Sequence, residues 1–388
     1  MPVPPAAKAI NIADLKKLAR RRLPRILFDW VEGGAEDERG LARNEGQFAR
    51  YRLLPRYLEA VERIDLETSL FARRYDAPFG IAPTGFAGLL RPGADLMLAR
   101  AAAAAGIPFI LSGASTSSIA SAAAAGNGNV WYQLYAPRDA RSCDDMIGRI
   151  RDCGVGVLVY TVDIPVEAKR ERDMRNGFDL PLAVTPRLLA DVLSHPSWLL
   201  GYLRAGGLPV MENWAPYAPA GADAVSVART MKSHYYPIQT WEDFQRIRDG
   251  WRGTLIVKGL IHPADAERAA RLGADGVIVS NHGGRQLDSA PTALEILPEI
   301  RAAVPPGHAV MVDGGFRRGA DIVIARCLGA DFVFLGRPTL YGVVAGGEAG
   351  AARAIAIIRD EMVRTMAQIG RRSVSSLDAT CLMTADRW

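Results

Sequence analysis

The chain is expected to be an α/β protein: a closed barrel of eight parallel strands, with a helical segment before it and a long insertion after the fourth strand. Three observations lead there. From Phe79 onward, short apolar runs recur, each ending in small or polar residues and followed by a helix-like stretch. The runs are continuously apolar, as strands buried on both faces are. They also number eight, the count that closes a (β/α)8 TIM barrel.

The candidate strands are Phe79–Pro83, Pro108–Ser112, Val130–Leu134, Val157–Val162, Thr254–Lys258, Gly276–Ser280, Ala309–Asp313 and Phe332–Gly336. Most start roughly 20 to 30 residues apart, room for one helix and two loops. The gap from Val162 to Thr254 breaks the rhythm and places an insertion at about 178–240. Residues 1–75 read as helical, a cap or bottom plug. Without internal repeats or a low-complexity linker, residues 1–388 read as one domain, with the barrel at about 76–370.

The composition, 49% hydrophobic and 23% charged over 388 residues, is that of a globular protein with a large core. A net charge of +5 suits anionic small molecules or an anionic membrane face. The basic residues are dispersed, with no aromatic–basic platform, which argues against nucleic acid. Lys16, Lys17, Arg20, Arg21 and Arg22 read as the solvated face of a first helix. Cys143, Cys153, Cys327 and Cys381 lack the spacing of metal ligands or of a disulfide framework, which fits a reducing compartment. The N-terminal stretch lacks the apolar core of a signal peptide, and no run approaches the roughly 20 apolar residues of a membrane span. A cytoplasmic protein is expected.

Barrel enzymes carry their chemistry at the C-terminal strand ends. Here those ends read Pro83-Thr84-Gly85, Ser112, Gln133 with Tyr135, Thr161 with Asp163, Lys258, Asn281 to Arg285, Asp313-Gly314-Gly315 and Gly336-Arg337. A purely structural barrel does not need polar, ionisable or glycine residues at nearly every mouth position, so a site is expected there.

SNHGGRQLD (Ser280–Asp288) follows a strand directly, which puts His282 at the mouth with Arg285 on the same loop. A histidine takes a proton near neutral pH, and an arginine grips a carboxylate through a bidentate fork. TVDIPVEAKRERD (Thr161–Asp173) adds Asp163, which can orient an imidazole, and Arg170, a second carboxylate ligand. In DGGFRRG (Asp313–Gly319) and LGRP (Leu335–Pro338), glycines let backbone amides approach an anion and arginines complete a phosphate site. Lys258, ending a buried strand, calls for an anionic partner.

These segments, with QLY and VKG, resemble the FMN-dependent L-2-hydroxy-acid oxidase and dehydrogenase family, over about Ile12 to Ile369. The resemblance implies FMN as cofactor and oxidation of an L-2-hydroxy acid to the 2-keto acid. It implies His282 as catalytic base with Asp163 behind it, Arg170 and Arg285 on the substrate carboxylate, and Tyr135 near the reacting hydroxyl. It places Lys258 at the flavin N1–O2 edge. Pro83, Thr84, Gly85, Ser112, Gln133 and Thr161 would line the isoalloxazine, with Asp313, Gly315, Arg317, Gly336 and Arg337 completing the cofactor site around the phosphate.

Trp30 departs from the family pattern, which has a tyrosine there; an indole N–H donates but does not accept. Gly85 and Ala114 fall where some members carry larger side chains, which makes room for an aromatic substituent. RLPRILFDWVEGGAEDE and HPSWLLGYLRAGGLP look closest to the (S)-mandelate-oxidising branch, so oxidation of (S)-mandelate to benzoylformate, or of a related aromatic 2-hydroxy acid, is the expected reaction. In that branch the segment matching about 186–214 attaches to a membrane and serves quinone reduction. The resemblance thus implies a small 2-hydroxy acid, a quinone or O2 as acceptor, peripheral contact with the inner face of the cell membrane, and a homo-oligomer, usually a tetramer. The rivals are an L-lactate or other 2-hydroxy-acid oxidase releasing H2O2, and a catalytically silent FMN-binding protein. The joint presence of His282, Asp163, Arg170, Lys258 and Arg285 argues against the silent protein.

Overall fold

A computed structural model describes residues 4–137, 139–178, 185–234 and 239–384. Its centre is a closed barrel of β1 (Phe79–Ile81), β2 (Phe109–Leu111), β3 (Val130–Leu134), β4 (Val157–Thr161), β5 (Thr254–Leu260), β6 (Gly276–Val279), β7 (Ala309–Asp313) and β8 (Phe332–Leu335). Each strand runs parallel to its sequence neighbours. The ring closes between β8 and β1, with Val333 opposite Phe79 and Leu335 opposite Ile81. The strand bounds agree with the apolar runs to within two residues.

Alternation along each strand decides what lies inside. Ile110, Trp131, Val159, Ile256, Ile278, Met311 and Phe334 pack as one cluster in the barrel. Leu111, Tyr132, Leu158, Tyr160, Val257, Val279 and Val312 belong to the other cluster, between barrel and helices. Two residues beyond each inward apolar residue, the sequence carries Ser112, Gln133, Thr161, Lys258, Ser280, Asp313 and Gly336. A period of two therefore builds an apolar barrel core and lays a polar floor on top of it.

The lower end differs from expectation. The plug is a β-hairpin, Thr68–Leu70 antiparallel to Arg73–Tyr75, not a helix. Phe71 and Ala72 at its tip both take positive φ, 51° and 58°, the backbone of a two-residue hairpin turn. Neither is a residue that favours that geometry, so the turn leaves no mark in the sequence. Leu70, Phe71 and Tyr75 seal the barrel, with the Tyr75 ring 5.7 Å from Phe332 and the Phe71 ring 5.9 Å from Trp131.

The helical cap forms from α1 (Ile12–Arg22), α2 (Arg25–Glu32) and α3 (Arg39–Gly46). The Asn11 side chain caps α1 by accepting from the Asp14 amide at 2.9 Å. Helix α1 buries Ile12, Leu15 and Ala19; Lys17, Arg20 and Arg21 face solvent as the basic run predicts, whereas Lys16 and Arg22 are half-buried, Lys16 paired with Glu32 and Arg22 donating to the Ser197 carbonyl at 3.4 Å.

The segment after β4 holds α4 (Glu171–Asn176), α5 (Pro186–Leu193), α6 (Pro196–Arg204) and α7 (Ala224–His234). Residues 179–184 and 235–238 of the expected insertion lie outside the described residues. Helix α6 docks through Trp198, whose indole donates to the Leu89 carbonyl at 3.1 Å, and Tyr202, which donates to that of Gly88. Helix α5 buries none of its residues. The last long helix, α8 (Arg337–Gln368), kinks at Gly347. Among the described residues it alone is long and apolar enough to cross a membrane, yet 61% of its apolar window is buried in the fold. It is a core helix packed on α1.

Candidate active site

A cavity of about 630 Å³ opens at the barrel mouth. Trp30, Gly85, Ala114, Tyr135, Arg170, His282 and Arg285 all line it, as do Pro83, Thr84, Thr161, Lys258, Asp313, Gly315, Arg317, Gly336 and Arg337. Three expected site residues stand behind the lining. Ser112 and Gln133 are buried and share a 3.2 Å hydrogen bond. Asp163 backs His282.

His282 Nδ1 lies 2.8 Å from Asp163 Oδ1. Burial pulls the His282 pKa below its ordinary value, and Asp163 opposes the shift without cancelling it. The imidazole is therefore neutral at neutral pH, and with Nδ1 engaged, Nε2 is left to accept a proton. Burial pushes the Asp163 carboxyl up, but the charges of His282 and Lys258 outweigh it and hold it below the usual carboxylate range.

Lys258 Nζ sits 3.1 Å from Asp313 Oδ2 and 3.9 Å from Asp163 Oδ2, and donates to Ser280 Oγ at 2.9 Å. Burial favours the neutral amine, yet the two carboxylates prevail and raise the lysine pKa. The Ser280 hydroxyl also accepts the His282 backbone N–H at 3.0 Å, joining the lysine to the histidine loop. That bond helps hold His282 at φ 57°, a left-handed conformation uncommon outside glycine and costing about 1–3 kcal/mol. Gly284 follows at φ 75°, where a Cβ would collide with the backbone of Leu41 just inside α3.

Arg285 Nη1 donates to the carbonyls of Trp30 and Gly33, each at 2.7 Å. Its Nη2 is buried without a hydrogen-bond partner, 3.9 Å from Asp173 Oδ2. Burial drives the Arg285 pKa well down, and repulsion from Arg170 and Arg337 adds to it. A carboxylate in the cavity would supply the missing acceptor and relieve that repulsion. Arg170 braces the same loop, donating to the Arg285 carbonyl at 3.2 Å and to Gln286 Oε1 at 3.0 Å. Arg337 donates to the carbonyls of Val31, Gly33 and Gly283, at 2.8, 3.0 and 3.2 Å. The carbonyl end of α2, where the helix dipole favours cations, thus holds two of the arginines. Arg317 pairs with Glu45 at 2.7 Å.

These residues fit a flavin mononucleotide. Gln133 Nε2, Thr161 Oγ1 and Asp313 Oδ1 are buried without protein partners, on the polar floor. A flat ring edged with C=O and N–H groups would satisfy such atoms. Beside Arg317, Gly314 and Gly315 take φ of 97° and 84°, a backbone turn suited to a phosphate.

Sequence reading missed several neighbours of the site. Asp173, buried in α4, faces Arg285; burial raises its carboxyl pKa, against the pull of Arg285 and Arg170. It stands three residues after Arg170, one helical turn along, which was a readable signal. Phe178 stacks on Trp30 at 5.5 Å and 25°, and Phe86 meets it edge-on at 5.6 Å. Asn44 and Asn281 exchange two side-chain hydrogen bonds, of 2.8 and 3.0 Å, across 237 residues of chain. No local signal announces that pair.

A histidine held by a carboxylate, a guanidinium lacking an acceptor and a floor suited to a flavin define a flavin-dependent oxidoreductase acting on a 2-hydroxy acid. The chain belongs to the FMN-dependent dehydrogenase family, which it matches over residues 19–384. It is 41% identical to (S)-mandelate dehydrogenase of Pseudomonas putida, over 95% of this chain and 92% of that protein. It is 38% identical to an L-lactate dehydrogenase of Caulobacter sp. (strain K31), over 97% and 99%. The crystal structure of the monotopic membrane protein (S)-mandelate dehydrogenase superposes with a TM-score of 0.93 at 39% identity, covering 97% of this chain and all of that one. The protein is thus an FMN-dependent 2-hydroxy-acid dehydrogenase of the mandelate/lactate type.

Proposed function

We propose that the protein oxidises (S)-mandelate, or a closely related aromatic 2-hydroxy acid, to the 2-keto acid, with His282 as base. The observation that carries this is one rim holding three things together. The His282–Asp163 pair stands there, Arg285 Nη2 lacks an acceptor, and Gly85 and Ala114 face each other as a small-residue wall. Arg285 and Arg170 hold the carboxylate, and Tyr135 lies by the reacting hydroxyl. The substrate loses two electrons and two protons; FMN, when bound, would accept both electrons together with one of the protons. His282 Nε2 takes one proton, and Asp163 stabilises the imidazolium that results. Lys258, kept cationic by Asp163 and Asp313, offsets negative charge on the floor.

The acceptor in this reading is a membrane quinone. Leu189, Leu193, Leu200, Leu203 and Leu208, on α5, on α6 and just after, are 46–68% exposed, with Arg187 and Arg204 among them. An apolar face edged with cations suits the interface of an anionic bilayer. The location proposed is the inner face of the cell membrane, and the assembly a homotetramer, as the family resemblance implies.

The test is an anaerobic titration of the purified yellow protein. Bleaching of the flavin band by (S)- but not (R)-mandelate, faster than by L-lactate or glycolate, is the expected result. Bleaching by lactate or glycolate alone would remove the aromatic substrate. Peroxide release in air at the rate of quinone-analogue reduction would make the protein an oxidase.

A further inference from the structure

Trp30 has three neighbours at once. Phe178 stacks on it, Phe86 closes its edge, and the Arg285 guanidinium carbon stands 5.3 Å from its ring centroid. The indole is thereby wedged, and its own carbonyl also accepts from Arg285 Nη1. One residue thus holds the guanidinium twice, through a ring and through a main-chain oxygen. Nothing in those contacts consumes Nη2, and Asp173, at 3.9 Å, lies beyond hydrogen-bond reach of it.

We infer that Trp30 is a positioning residue that aims Arg285 at the substrate carboxylate through its ring face. The inference rests on the reading of Arg285 as the carboxylate anchor. A wedged indole attracts a desolvated guanidinium more strongly than any other side-chain ring, with no oxygen to compete for Nη2. Held by aromatic and carbonyl contacts, with its carboxylate neighbour Asp173 at 3.9 Å and outside hydrogen-bond reach, Arg285 keeps Nη2 open to a guest anion. Ordering before binding then raises affinity, because less freedom is lost when the anion arrives.

The experiment uses FMN-loaded enzyme and titrates benzoylformate, followed by perturbation of the flavin spectrum, alongside KM and kcat for (S)-mandelate. Trp30→Leu is expected to weaken benzoylformate and raise KM by about tenfold, with kcat within about twofold. Trp30→Phe, which keeps a ring face without the N–H, recovers most of the affinity. In an Arg285→Met background, Trp30→Leu adds little further loss, because its effect runs through the arginine. Trp30→Phe as weak as Trp30→Leu overturns the inference, since the N–H would then be what matters. A full additive loss in the double variant overturns it too. Arg285→Met binding benzoylformate like the wild type overturns instead the assignment of Arg285 to the carboxylate. Should Trp30→Leu fail to retain FMN, the comparison of Trp30→Phe with wild type, in both Arg285 backgrounds, decides the same question.

Discussion

His282 and Asp163, 119 residues apart in the chain, meet through Nδ1 and Oδ1 at 2.8 Å. The other oxygen of Asp163 faces Lys258 at 3.9 Å, so one carboxylate serves both the histidine and the lysine at the cavity. In the free enzyme His282 titrates below its ordinary 6.5 because burial outweighs Asp163. In the proposed reaction the neutral imidazole is the active form, so kcat/KM should rise with pH through that lowered pKa and level off above it. Asp163→Asn removes the charge that opposes burial. The acid limb should then move to still lower pH, while the maximal rate falls by about 10²-fold or more because the imidazolium loses its partner. A pH–rate profile of both forms checks this; an acid limb moving upward would contradict it.

Lys258 is the cation between two buried carboxylates, those of Asp163 and Asp313. Lys258→Met strands both, and breaking a buried pair in this way destabilises by about 3–5 kcal/mol. Denaturant unfolding of the apoprotein should show it. Lys258→Met combined with Asp313→Asn should recover part of the loss, since one stranded charge is gone.

Asn44 ties α3 to the histidine loop through Asn281, and its neighbour Gln47 donates to the Gly314 carbonyl at 3.0 Å. A Cβ on Gly315 would overlap the Asn44 carbonyl, so the glycine turn is pressed against the same helix. Asn44→Ala costs Asn281 two hydrogen bonds, while its Nδ2 keeps the Pro291 carbonyl at 3.1 Å and its Oδ1 the Gly284 N–H at 3.2 Å, and should destabilise by about 1–2 kcal/mol. Both loops should loosen, and FMN should dissociate about tenfold more readily. Fluorescence of released flavin measures the second effect separately from thermal unfolding.

What was legible in the chain follows from how local each signal is. The strands are short apolar runs whose ends carry the polar floor, so the barrel and most of its lining could be read in order. His282, Arg285, Arg337 and Lys258 each stand within a few residues of a strand end, a position that periodicity alone reveals. Trp30 could be placed only through family resemblance, because it arrives from a helix more than 200 residues before the loop it supports. The Asn44–Asn281 pair and the stacking of Phe178 on Trp30 depend on tertiary packing of distant segments, which no local pattern specifies. The Phe71–Ala72 turn was hidden for the opposite reason, a local geometry built from residues that do not favour it.

Leu193 and Leu203 are 68% and 66% exposed on neighbouring helices, and α5 rests on the core only through half-buried Leu188 and Val192. Leu193→Asp with Leu203→Asp should abolish flotation with vesicles containing anionic lipid. Mandelate oxidation with a soluble dye should stay within about twofold, because neither side chain lines the cavity. A double variant that still floats would remove these helices from the membrane reading.

Gly85 and Ala114 hold the last argument, that of substrate size. A Cβ on Gly85 would come within 3.1 Å of the Ala114 Cβ, so the wall is tight even though both side chains are small. Ala114 is 2% exposed and lines the cavity, so growth there has to enter the substrate space or displace Gly85. Ala114→Trp should raise KM for (S)-mandelate by about 100-fold or more. L-lactate and glycolate, which lack the ring, should change by less than about threefold, since forced overpacking of about 1–3 kcal/mol falls on the larger substrate. The ratio of kcat/KM for mandelate to that for lactate is the measurement to make. If that ratio stays constant, the aromatic substituent lies elsewhere in the cavity, and the wall of Gly85 and Ala114 does not set specificity.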